Sequence, residues 1–548
     1  MLAPHHASWP PGVPHHLTVP QTNLFYNLEV AARRYPDKPL AIFYDTPISY
    51  AAFFDQAERL AGYLQGTCGV QAGERVLLYL QNSPQFMLAY YAILRANAVV
   101  VPVNPMNLAE ELRHYVTDTG ATTIITAQDL YPQVTQLGLR HIVVAAYADY
   151  LTVPTDLNVP AQVAAPRERI TGDGVALWSD ILACAPAPGP MTAGPGDLCV
   201  MPYTSGTTGH PKGCMHTHAS VMYNALAGVQ WFGAQQDVIA LSVLPLFHVT
   251  GMQGGMNGPI FSGATIVLMA RWDRDTAAEL IRRHHVNAVQ LISTMVVDLL
   301  SSPRIDLYDL SSLTRISGGG AAMPDVIAAK LQDLLGIPYV EGYGMSETIA
   351  PTHVNPVHKP KRQCLGIPIQ DVDARVVDPE ALTELAPGLV GEIVVHGPQL
   401  MRGYWNNPAA TAEAFVTLDG KRYLRTGDLA RVDDDGYFFM VDRLKRMINA
   451  AGYKVWPAEV EALMYRHPAI REVCVVACID ARRGESVKAV VALKDGMGQV
   501  SAQDIIDWAH DNMAAYKCPR VVEFCRTLPK SATGKVQWRA LEQRAPLG

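Results

Sequence analysis

Apolar positions in the first half of the chain follow two different spacings. Short continuous apolar runs, such as 75–80 and 141–146, are typical of strands that are buried on both faces. Between such runs, apolar residues recur at helical spacing over 22–36 and 84–98. A second alternation of the same kind follows over 238–300. The pattern predicts an α/β fold with parallel sheets that are covered by helices on both faces.

The pattern becomes rich in short strands beyond Cys364. The dipeptide Asp435-Gly436 favours a tight turn, and it therefore predicts a hairpin between the strand-like runs 429–433 and 437–443. Since few helical periods interrupt this section, we expect a β-rich element at the end of the large domain.

A smaller α+β pattern occupies the rest of the chain. Pro457 is expected at the first position of a helix, and Ser501 is expected to cap a later one. We place the boundary at residues 443–446, so that an N-terminal domain covers 1–442 and a C-terminal domain covers 447–548.

Composition limits the class of protein. With 548 residues the chain is too long for one compact core, and 49% hydrophobic with 17% charged residues is typical of a globular protein. A net charge of −7 gives no reason to expect nucleic acid as a partner. The longest apolar stretch, 86–103, contains Arg95 and Asn97, so no transmembrane segment is expected. An odd number of cysteines, nine, and no signal-peptide pattern favour reduced thiols and a cytoplasmic location.

Residues 204–213, TSGTTGHPKG, carry the clearest chemical signal in the chain. Glycines let backbone N–H groups turn toward a ligand, hydroxyls add donors and a lysine adds positive charge, which are the groups that hold a polyphosphate. The alternative for such a cluster is a solvated turn. The lysine does not stand in the Gly-Lys-Ser/Thr triplet of the common nucleotide loop. The expected phosphate-binding residues are Thr204, Ser205, Gly206, Thr207, Thr208, Gly209 and Lys212.

This run resembles the signature loop of the adenylate-forming enzymes, the superfamily of acyl-CoA synthetases, nonribosomal-peptide adenylation domains and firefly luciferase. Further segments resemble motifs of the family and follow in its order: SGGGAAMP (317–324), EGYGMSET (341–348), TGD (426–428), DRLKRMINAAGYKVWPAEVE (442–461) and PKSATGK (529–535). The resemblance covers residues from about 25 to 540. It implies a large N-terminal domain of two α/β sheets plus a distorted β-barrel, and a small mobile α+β C-terminal domain that rotates over it.

The resemblance also assigns nucleotide-binding positions. Small residues at 318–320 would let an adenine approach the backbone, and Tyr343 would stack on it. Asp428 would accept ribose hydroxyls, with Arg443 beside it. The expected ATP- and AMP-binding residues beyond the loop are Gly318, Gly319, Gly320, Glu341, Gly342, Tyr343, Gly344, Ser346, Asp428 and Arg443.

Three residues are expected to act in catalysis. Glu347 is the expected ligand of Mg²⁺, which prefers hard oxygens, and Ser346 keeps the hydroxyl that is often Thr in the family. Lys535 would stabilise charge on the α-phosphate. His248 stands where amino-acid-activating relatives place Asp, and a neutral imidazole cannot pair with a substrate ammonium. A plain carboxylic acid is therefore the expected substrate.

Two further sets of residues come from the same resemblance. Lys445 falls at the hinge position of the family, where Asp or Lys is usual, but the next residue is Arg446 where Asp is common. Gly452 and Tyr453 match the segment that approaches CoA. The expected acyl pocket, in which glycines near His248 leave room, is lined by Trp231, Phe247, Met252, Gly255 and Met295.

Together these features resemble an acyl-CoA synthetase that uses ATP, Mg²⁺ and CoA. A carboxylate and ATP would give acyl-AMP, and CoA would then give acyl-CoA and AMP. The similarity favours a medium- or long-chain fatty acid. Open alternatives are an aromatic or dicarboxylic acid, a carrier protein as acceptor, a luciferase-like oxygenase, and a nucleotide-sensing module, which would not need Glu347 and Lys535. The oligomeric state is open, with a homodimer as one option.

Overall fold

The computed structural model of the protein describes residues 4–204, 211–320, 322–450, 453–480, 484–497, 499–531 and 536–542. By packing, the chain divides into two compact units. The first comprises Met1–Asp373 and His396–Leu424, and the second comprises Ala374–Val395 and Arg425–Gly548. The expected boundary at 443–446 lies within the second unit and stays a prediction.

The first unit contains two large sheets, as the apolar pattern predicts. The larger one has nine strands, of which the central ones are parallel. Its strands are, in spatial order, Ile367–Pro368, Ala350–Val354, Tyr339–Met345, Arg315–Gly319, Ala288–Gln290, Ile239–Ser242, Thr265–Leu268, Pro39–Phe43 and Thr46–Ser49.

The second sheet of this unit has seven strands and is parallel except at one edge, where His216–Thr217 runs antiparallel. Its strands are, in spatial order, His216–Thr217, Leu198–Val200, Val99–Pro102, Arg75–Tyr79, Thr123–Ala127, His141–Ala145 and Val175–Leu177.

Helices cover these sheets and form the layer between them. Pro84–Arg95 is the most buried, because its sequence is apolar on all sides, and the Ser83 hydroxyl caps it by accepting from Phe86 N at 3.1 Å. No helix in the described ranges is both long and apolar enough to cross a membrane. The other main helices are Phe25–Arg34, Tyr50–Gly66, Ala109–Thr119, Trp178–Cys184, His218–Phe232, Val249–Met252, Gly258–Ser262, Arg274–His284, Ser293–Leu300, Asp325–Leu335 and Pro408–Ala414.

The largest apolar cluster lies between the two sheets. Alternate residues of one strand separate its two faces, so that Ile266 and Leu268 point into this cluster while Val267 and Met269 point into a second one. Each such buried side chain contributes roughly 1.5–3 kcal/mol relative to exposure. The continuous apolar runs of the sequence thus reflect strands that are buried on both faces.

The β-rich section expected beyond Cys364 is present. In the first unit Phe415–Leu418 pairs with the start of the strand Lys421–Val432. In the second unit the rest of that strand pairs with Phe438–Arg443, and the chain turns at Asp433–Gly436, where Gly436 has a φ of 81°. The hairpin at Asp435-Gly436 is therefore confirmed.

The remainder of the second unit is a small α+β element. Pro457 begins the helix Pro457–Met464, and the Ser501 hydroxyl caps Ala502–Asn512 by accepting from Asp504 N at 3.1 Å, as expected. Its sheet is formed by Tyr453–Val455, Ile448–Ala450, Gly484–Leu493, Ile470–Asp480 and Val521–Phe524. The α/β fold with large N-terminal sheets and a small C-terminal sheet element is confirmed.

Candidate active site

The expected phosphate loop is closed by a short hairpin, which we call the phosphate hairpin: Tyr203–Thr204 paired antiparallel with Lys212–Gly213. Thr204 and Lys212 are direct partners in this ladder, so both ends of the loop are fixed. The expected phosphate-binding residues Ser205, Gly206, Thr207, Thr208 and Gly209 lie outside the described residues.

The helix Ala109–Thr119 anchors this hairpin. The His114 Nε2 lies 2.8 Å from the carbonyl oxygen of Pro211, and the Tyr203 hydroxyl donates to the Asp118 carboxylate at 2.5 Å. These contacts join residues that lie far apart in the sequence, and no motif marks them. They hold Tyr203 and Pro211 against the helix Ala109–Thr119 and so fix the position of the phosphate hairpin.

One other segment packs along the exit of the hairpin, residues 213–215. Segment 401–405 runs beside 213–215 and joins it through backbone hydrogen bonds of 2.8, 2.9 and 3.0 Å. The same segment reaches the expected metal ligand, because Met401 N donates to the carbonyl oxygen of Glu347 at 2.9 Å. This backbone pairing connects Glu347 to the exit of the phosphate hairpin through segment 401–405.

His216 fixes the same junction from inside the protein. Its Nε2 lies 2.7 Å from the carbonyl oxygen of Ser346, and burial lowers the pKa of His216 to about 4. The imidazole is therefore neutral at pH 7, and its Nε2–H donates to that carbonyl. A charged histidine is thus absent from this position, and the role of His216 is to position Ser346 and Glu347.

Tyr404 contacts one positively charged and one negatively charged residue. The Lys212 ammonium lies 4.3 Å from the centre of the Tyr404 ring, and the Tyr404 hydroxyl donates to Glu347 Oε1 at 2.8 Å. Burial, together with the nearby Glu347 carboxylate, raises the pKa of Tyr404, so that the hydroxyl keeps its proton. The structure therefore brings two residues expected from the sequence, Lys212 and Glu347, to one tyrosine that the sequence reasoning missed.

The backbone directly after Glu347 is strained. Ile349 has a φ of 48° and Ala350 a φ of 85°, in the region that favours glycine, and each costs of order 1–3 kcal/mol. The Thr348 hydroxyl holds this turn, since it accepts from Met345 N at 3.0 Å and lies 2.9 Å from the carbonyl oxygen of Ala350. Such strain persists where the surrounding structure imposes it, and it often marks functional sites.

The glycines of the 317–320 segment are required by the packing of the strands. A Cβ on Gly318 would lie 2.0 Å from the carbonyl oxygen of Leu291, and one on Gly319 would lie 2.3 Å from that of Gly342. Gly320 has a φ of 87°. The side-chain directions of Gly318 and Gly319 are thus filled by protein atoms, and their contact with adenine stays a prediction.

Glu341 ties together two segments beside the same sheet edge. Its carboxylate accepts from Met323 N at 2.8 Å and from Cys364 N at 3.2 Å. Burial raises the pKa of Glu341, although these backbone donors act in the opposite direction. Tyr343, two positions later, lies with its ring centre 5.7 Å from that of His353. These contacts position the strand that carries Tyr343, between Gly342 and Gly344.

The site has the donors that a nucleotide-bound Mg²⁺ requires. No group of three or more His, Cys, Asp or Glu side chains that could hold a metal ion occurs among the described residues. Mg²⁺ that arrives with a polyphosphate needs only one or two protein carboxylates, because phosphate oxygens and waters complete its shell. Glu347, which is buried beside the phosphate hairpin, fits this requirement.

The glycines near His248 allow close packing of protein atoms. A Cβ on Gly254 would lie 2.2 Å from Gln290 Oε1, and one on Gly255 would lie 2.4 Å from Ser242 Oγ. The space expected at these two glycines is therefore already filled by side chains of the nine-stranded sheet. His248 itself precedes the helix Val249–Met252 and lies with Nδ1 3.4 Å from Thr250 N.

The other residues expected to line the acyl pocket are spread over three places. Phe247 and Met252 belong to the cluster between the sheets, whereas Met295 packs against the cluster on the opposite face of the nine-stranded sheet. The Trp231 ring meets Trp9 with ring centres 5.0 Å apart. Phe247 and Met252 thus share one apolar cluster, and Met295 packs against another.

In the second unit, the expected ribose pair is formed. Asp428 and Arg443 are direct partners of adjacent strands, and Arg443 Nε lies 3.0 Å from Asp428 Oδ1. The Asp428 side chain is buried, while that of Arg443 is about half exposed. Gly427, with a φ of 69°, precedes Asp428 and donates to the Glu392 carboxylate at 3.0 Å.

The expected hinge lies in the short helical turn Leu444–Arg446. Arg446, which replaces the common acidic residue, lies with Nη2 2.5 Å from Glu461 Oε1 and with Nη1 3.8 Å from Asp442 Oδ1. The arginine thus has acidic partners of its own, and the hinge role of Lys445 stays a prediction. Tyr453 begins the strand Tyr453–Val455, and Gly452 and Lys535 lie outside the described residues.

Comparisons with known proteins agree with this arrangement. The family model described as AMP-binding enzyme matches residues 28–405, and that of the AMP-binding enzyme C-terminal domain matches 459–535. The long-chain-fatty-acid–CoA ligase of Bacillus subtilis (strain 168) is 35% identical over 98% of this chain and 97% of its own length. A feruloyl-CoA synthase of an Amycolatopsis species is 33% identical over 90% and 92%. The crystal structure of ATP-bound MatB from Rhodopseudomonas palustris has a TM-score of 0.84 at 26% identity, covering 96% of this chain and 99% of that one.

Proposed function

The chain belongs to the AMP-binding enzyme family and is an acid–thiol ligase, and from this premise we propose that it activates a medium- or long-chain fatty acid. The carboxylate oxygen attacks the α-phosphate of ATP, an acyl–phosphate bond forms and pyrophosphate leaves. The thiol sulfur of CoA then attacks the acyl carbonyl, and AMP leaves. Adenylation replaces a poor leaving group by a good one.

The junction of Lys212, Tyr404 and Glu347 carries the part of this proposal that concerns ATP. Lys212, at one end of the phosphate hairpin, binds the phosphates of ATP, because an ammonium attracts anions. Glu347 holds Mg²⁺, which neutralises charge on the phosphates when it is bound. In the second unit, Asp428 accepts the ribose hydroxyls and Arg443 orients its carboxylate.

Two observations support a fatty acid. The relative named long-chain-fatty-acid–CoA ligase is similar to this chain over 98% of the length of this chain. In addition, His248 is followed by the buried apolar residues Val249 and Met252, and no aspartate stands there to pair with a substrate ammonium. Each CH₂ of an alkyl chain that such apolar surroundings bury contributes about 0.8 kcal/mol of binding free energy.

The release of AMP from a panel of carboxylic acids, with and without CoA, tests this proposal. Fatty acids should give rapid, CoA-dependent AMP release, while amino acids should give none. Rapid release with an amino acid would contradict the proposal. Adenylate that accumulates with every fatty acid and is not consumed by CoA would point to a carrier protein as the acceptor.

A second candidate, a hydroxylated aromatic acid, is favoured by two buried polar atoms. Ser242 Oγ and Gln290 Oε1 have no hydrogen-bond partner within the described ranges of the chain, and both lie next to the helical turn Gln253–Asn257. An unsatisfied buried polar group costs of order 1–3 kcal/mol, so a substrate hydroxyl that bonds to it would be selected. One of the relatives is named feruloyl-CoA synthase.

The variant Gln290→Leu separates the two candidates. If a substrate hydroxyl bonds to Gln290, the variant should lower kcat/KM for a hydroxylated aromatic acid about 10-fold and leave that for a fatty acid unchanged. Equal effects on both acids would eliminate the second candidate.

A further inference from the structure

Tyr404 lies between the two charged residues of the site in the first unit. Its hydroxyl donates to Glu347 Oε1 at 2.8 Å, and its ring lies 4.3 Å from the Lys212 ammonium. The residue is 8% exposed, so bulk water screens these contacts little. No motif in the sequence marks Tyr404 for either contact.

The backbone leaves Tyr404 little freedom to move. It forms an antiparallel bridge with Cys214, two positions after Lys212, and its N–H donates to the Thr411 hydroxyl at 2.9 Å. Its two neighbours in sequence are also bonded to the hairpin exit, since the carbonyl oxygen of Gly403 accepts from Met215 N at 3.0 Å and Trp405 N donates to Gly213 at 2.8 Å. A ring held in this way can limit the conformations of the flexible side chains that contact it.

Each contact has a distinct physical effect. A hydroxyl that donates to a carboxylate makes a charge-assisted hydrogen bond, which fixes the direction in which the remaining lone pairs of Glu347 point. The face of the aromatic ring attracts the Lys212 ammonium and limits its rotamers. One side chain therefore contacts both the ammonium and the carboxylate.

We propose that Tyr404 is a positioning residue for the metal–nucleotide complex, in which its hydroxyl orients Glu347 and its ring orients Lys212. The inference rests on the proposed function only for the nucleotide, since neither contact involves the acid or CoA. It predicts that the two halves of one side chain act on different parts of the ligand. The hydroxyl affects the divalent cation, and the ring affects the phosphates.

Calorimetric binding of the non-reacting analogue α,β-methylene-ATP, with Mn²⁺ and without any divalent cation, tests this division. Tyr404→Phe removes only the hydroxyl, so it should weaken binding of the Mn²⁺ complex about 10-fold and leave binding of the metal-free analogue unchanged. Tyr404→Leu also removes the ring, and it should weaken binding of both forms. Mn²⁺ serves as the probe because its coordination can also be followed by electron paramagnetic resonance.

The matched control is Tyr50→Phe. This variant deletes another buried hydroxyl, which donates to the carbonyl oxygen of Ala264 at 2.7 Å, and it should alter neither binding constant. A double variant tests the route of the effect. If Tyr404 acts through Glu347, Tyr404→Phe should add less than twofold to the loss caused by Glu347→Gln.

Several results would overturn the inference. These are wild-type binding of the Mn²⁺ complex by Tyr404→Phe, an equal loss for the metal-free analogue, an equal loss in Tyr50→Phe, or full additivity in the double variant. If Tyr404→Leu does not fold, Tyr404→Phe decides the question alone. An error in the proposed acid would leave all of these binding constants unchanged, so the two failures are distinguishable.

Discussion

Charge at the site depends on a few residues that are held by specific contacts. Lys212 is fixed by its ladder with Thr204 and by the Tyr404 ring, and Glu347 by the Tyr404 hydroxyl. His216 is kept neutral by burial, which lowers its pKa to about 4. If the proposed function holds, cation binding in the first unit depends most on the negative charge of Glu347.

Glu347→Gln should reduce adenylation about 100-fold or more, because it removes this charge while it keeps the shape of the side chain. An oxygen that can accept from Tyr404 also remains, so the melting temperature should change by only a few degrees. Pyrophosphate release at saturating acid, measured over a range of Mg²⁺ concentrations, checks the prediction. Near-normal turnover at limiting Mg²⁺ would remove Glu347 from the metal site.

Residue types that carry chemistry could be predicted from the sequence, but their partners could not. The pairing of Asp428 with Arg443 was expected, and the two residues do lie together. Tyr404 and His216 escaped notice, because a single tyrosine or histidine has no periodicity and its role comes from contacts more than 50 residues away in sequence. Gly318 and Gly319 are predicted to give an adenine access to the backbone, and the packing of the strands, which the sequence does not reveal, requires glycine there as well.

Among the elements, the N-terminal segment 4–16 has an unusual set of contacts. Trp9 packs on Trp231, with ring centres 5.0 Å apart, and the His6 and His15 rings lie 4.4 Å apart. Burial lowers the pKa of His5 to about 4, with His6 and His15 adding to the effect and Asp373 opposing it. Burial also lowers the pKa of His6.

Acid should release this segment from the first unit. Since the packed segment has histidine pKa values below the free value of 6.5, protons bind better to the released form. The packing is therefore complete above pH 6.5 and is lost as the pH falls toward 4. We expect amide exchange in residues 4–16, corrected for intrinsic rates, to become at least about tenfold faster between pH 7 and pH 5.

The variant His5→Asn/His6→Asn provides the control for this prediction. It should make the corrected exchange of the segment nearly independent of pH over the same interval. Exchange that accelerates equally in the variant would show that groups other than His5 and His6 control the release.

Helices and strands with a strong period were predictable, and irregular turns were not. The run 84–98 and the strand runs of both sheets appear where the apolar pattern places them, because burial on all sides leaves a continuous apolar sequence. The π-helical turn Gln253–Asn257 and the strained Ile349 have no such signal. Their conformations depend on tertiary packing, which overrides local preference.

For the whole molecule, the sequence predicts two continuous domains with one boundary between them. The packing instead gives two units, each formed by two separate segments of the chain. The strand Lys421–Val432 contributes to both units, and Ala374–Val395 belongs to the second although it precedes part of the first. A change in the pattern of residues along the sequence cannot reveal that one strand belongs to two units, because strands pair according to their positions in space. The idea that the chain works in two alternating poses remains a prediction from the resemblance.

Separate measurement of adenylation and thioester formation in the variants Lys535→Ala and Lys445→Pro tests that idea. Lys535→Ala should reduce acyl-AMP formation about 100-fold or more and spare thioester formation from synthetic acyl-AMP. Lys445→Pro, which fixes φ near −65°, should do the reverse. Pyrophosphate release and thioester formation are assayed separately. Equal damage to both steps in each variant would contradict both the alternation and the proposed role of Lys535.

The dependence of kcat/KM on the length of the acid chain tests the central claim most directly, namely that this ligase activates a fatty acid. An apolar pocket gains about 0.8 kcal/mol for each CH₂ that it buries, so kcat/KM should rise up to about fourfold per added carbon and then level off where the pocket ends. Saturated acids from four to eighteen carbons, assayed with ATP, Mg²⁺ and CoA at saturation, give this profile. A flat profile, or a higher kcat/KM for an amino acid or a hydroxylated aromatic acid, would contradict it.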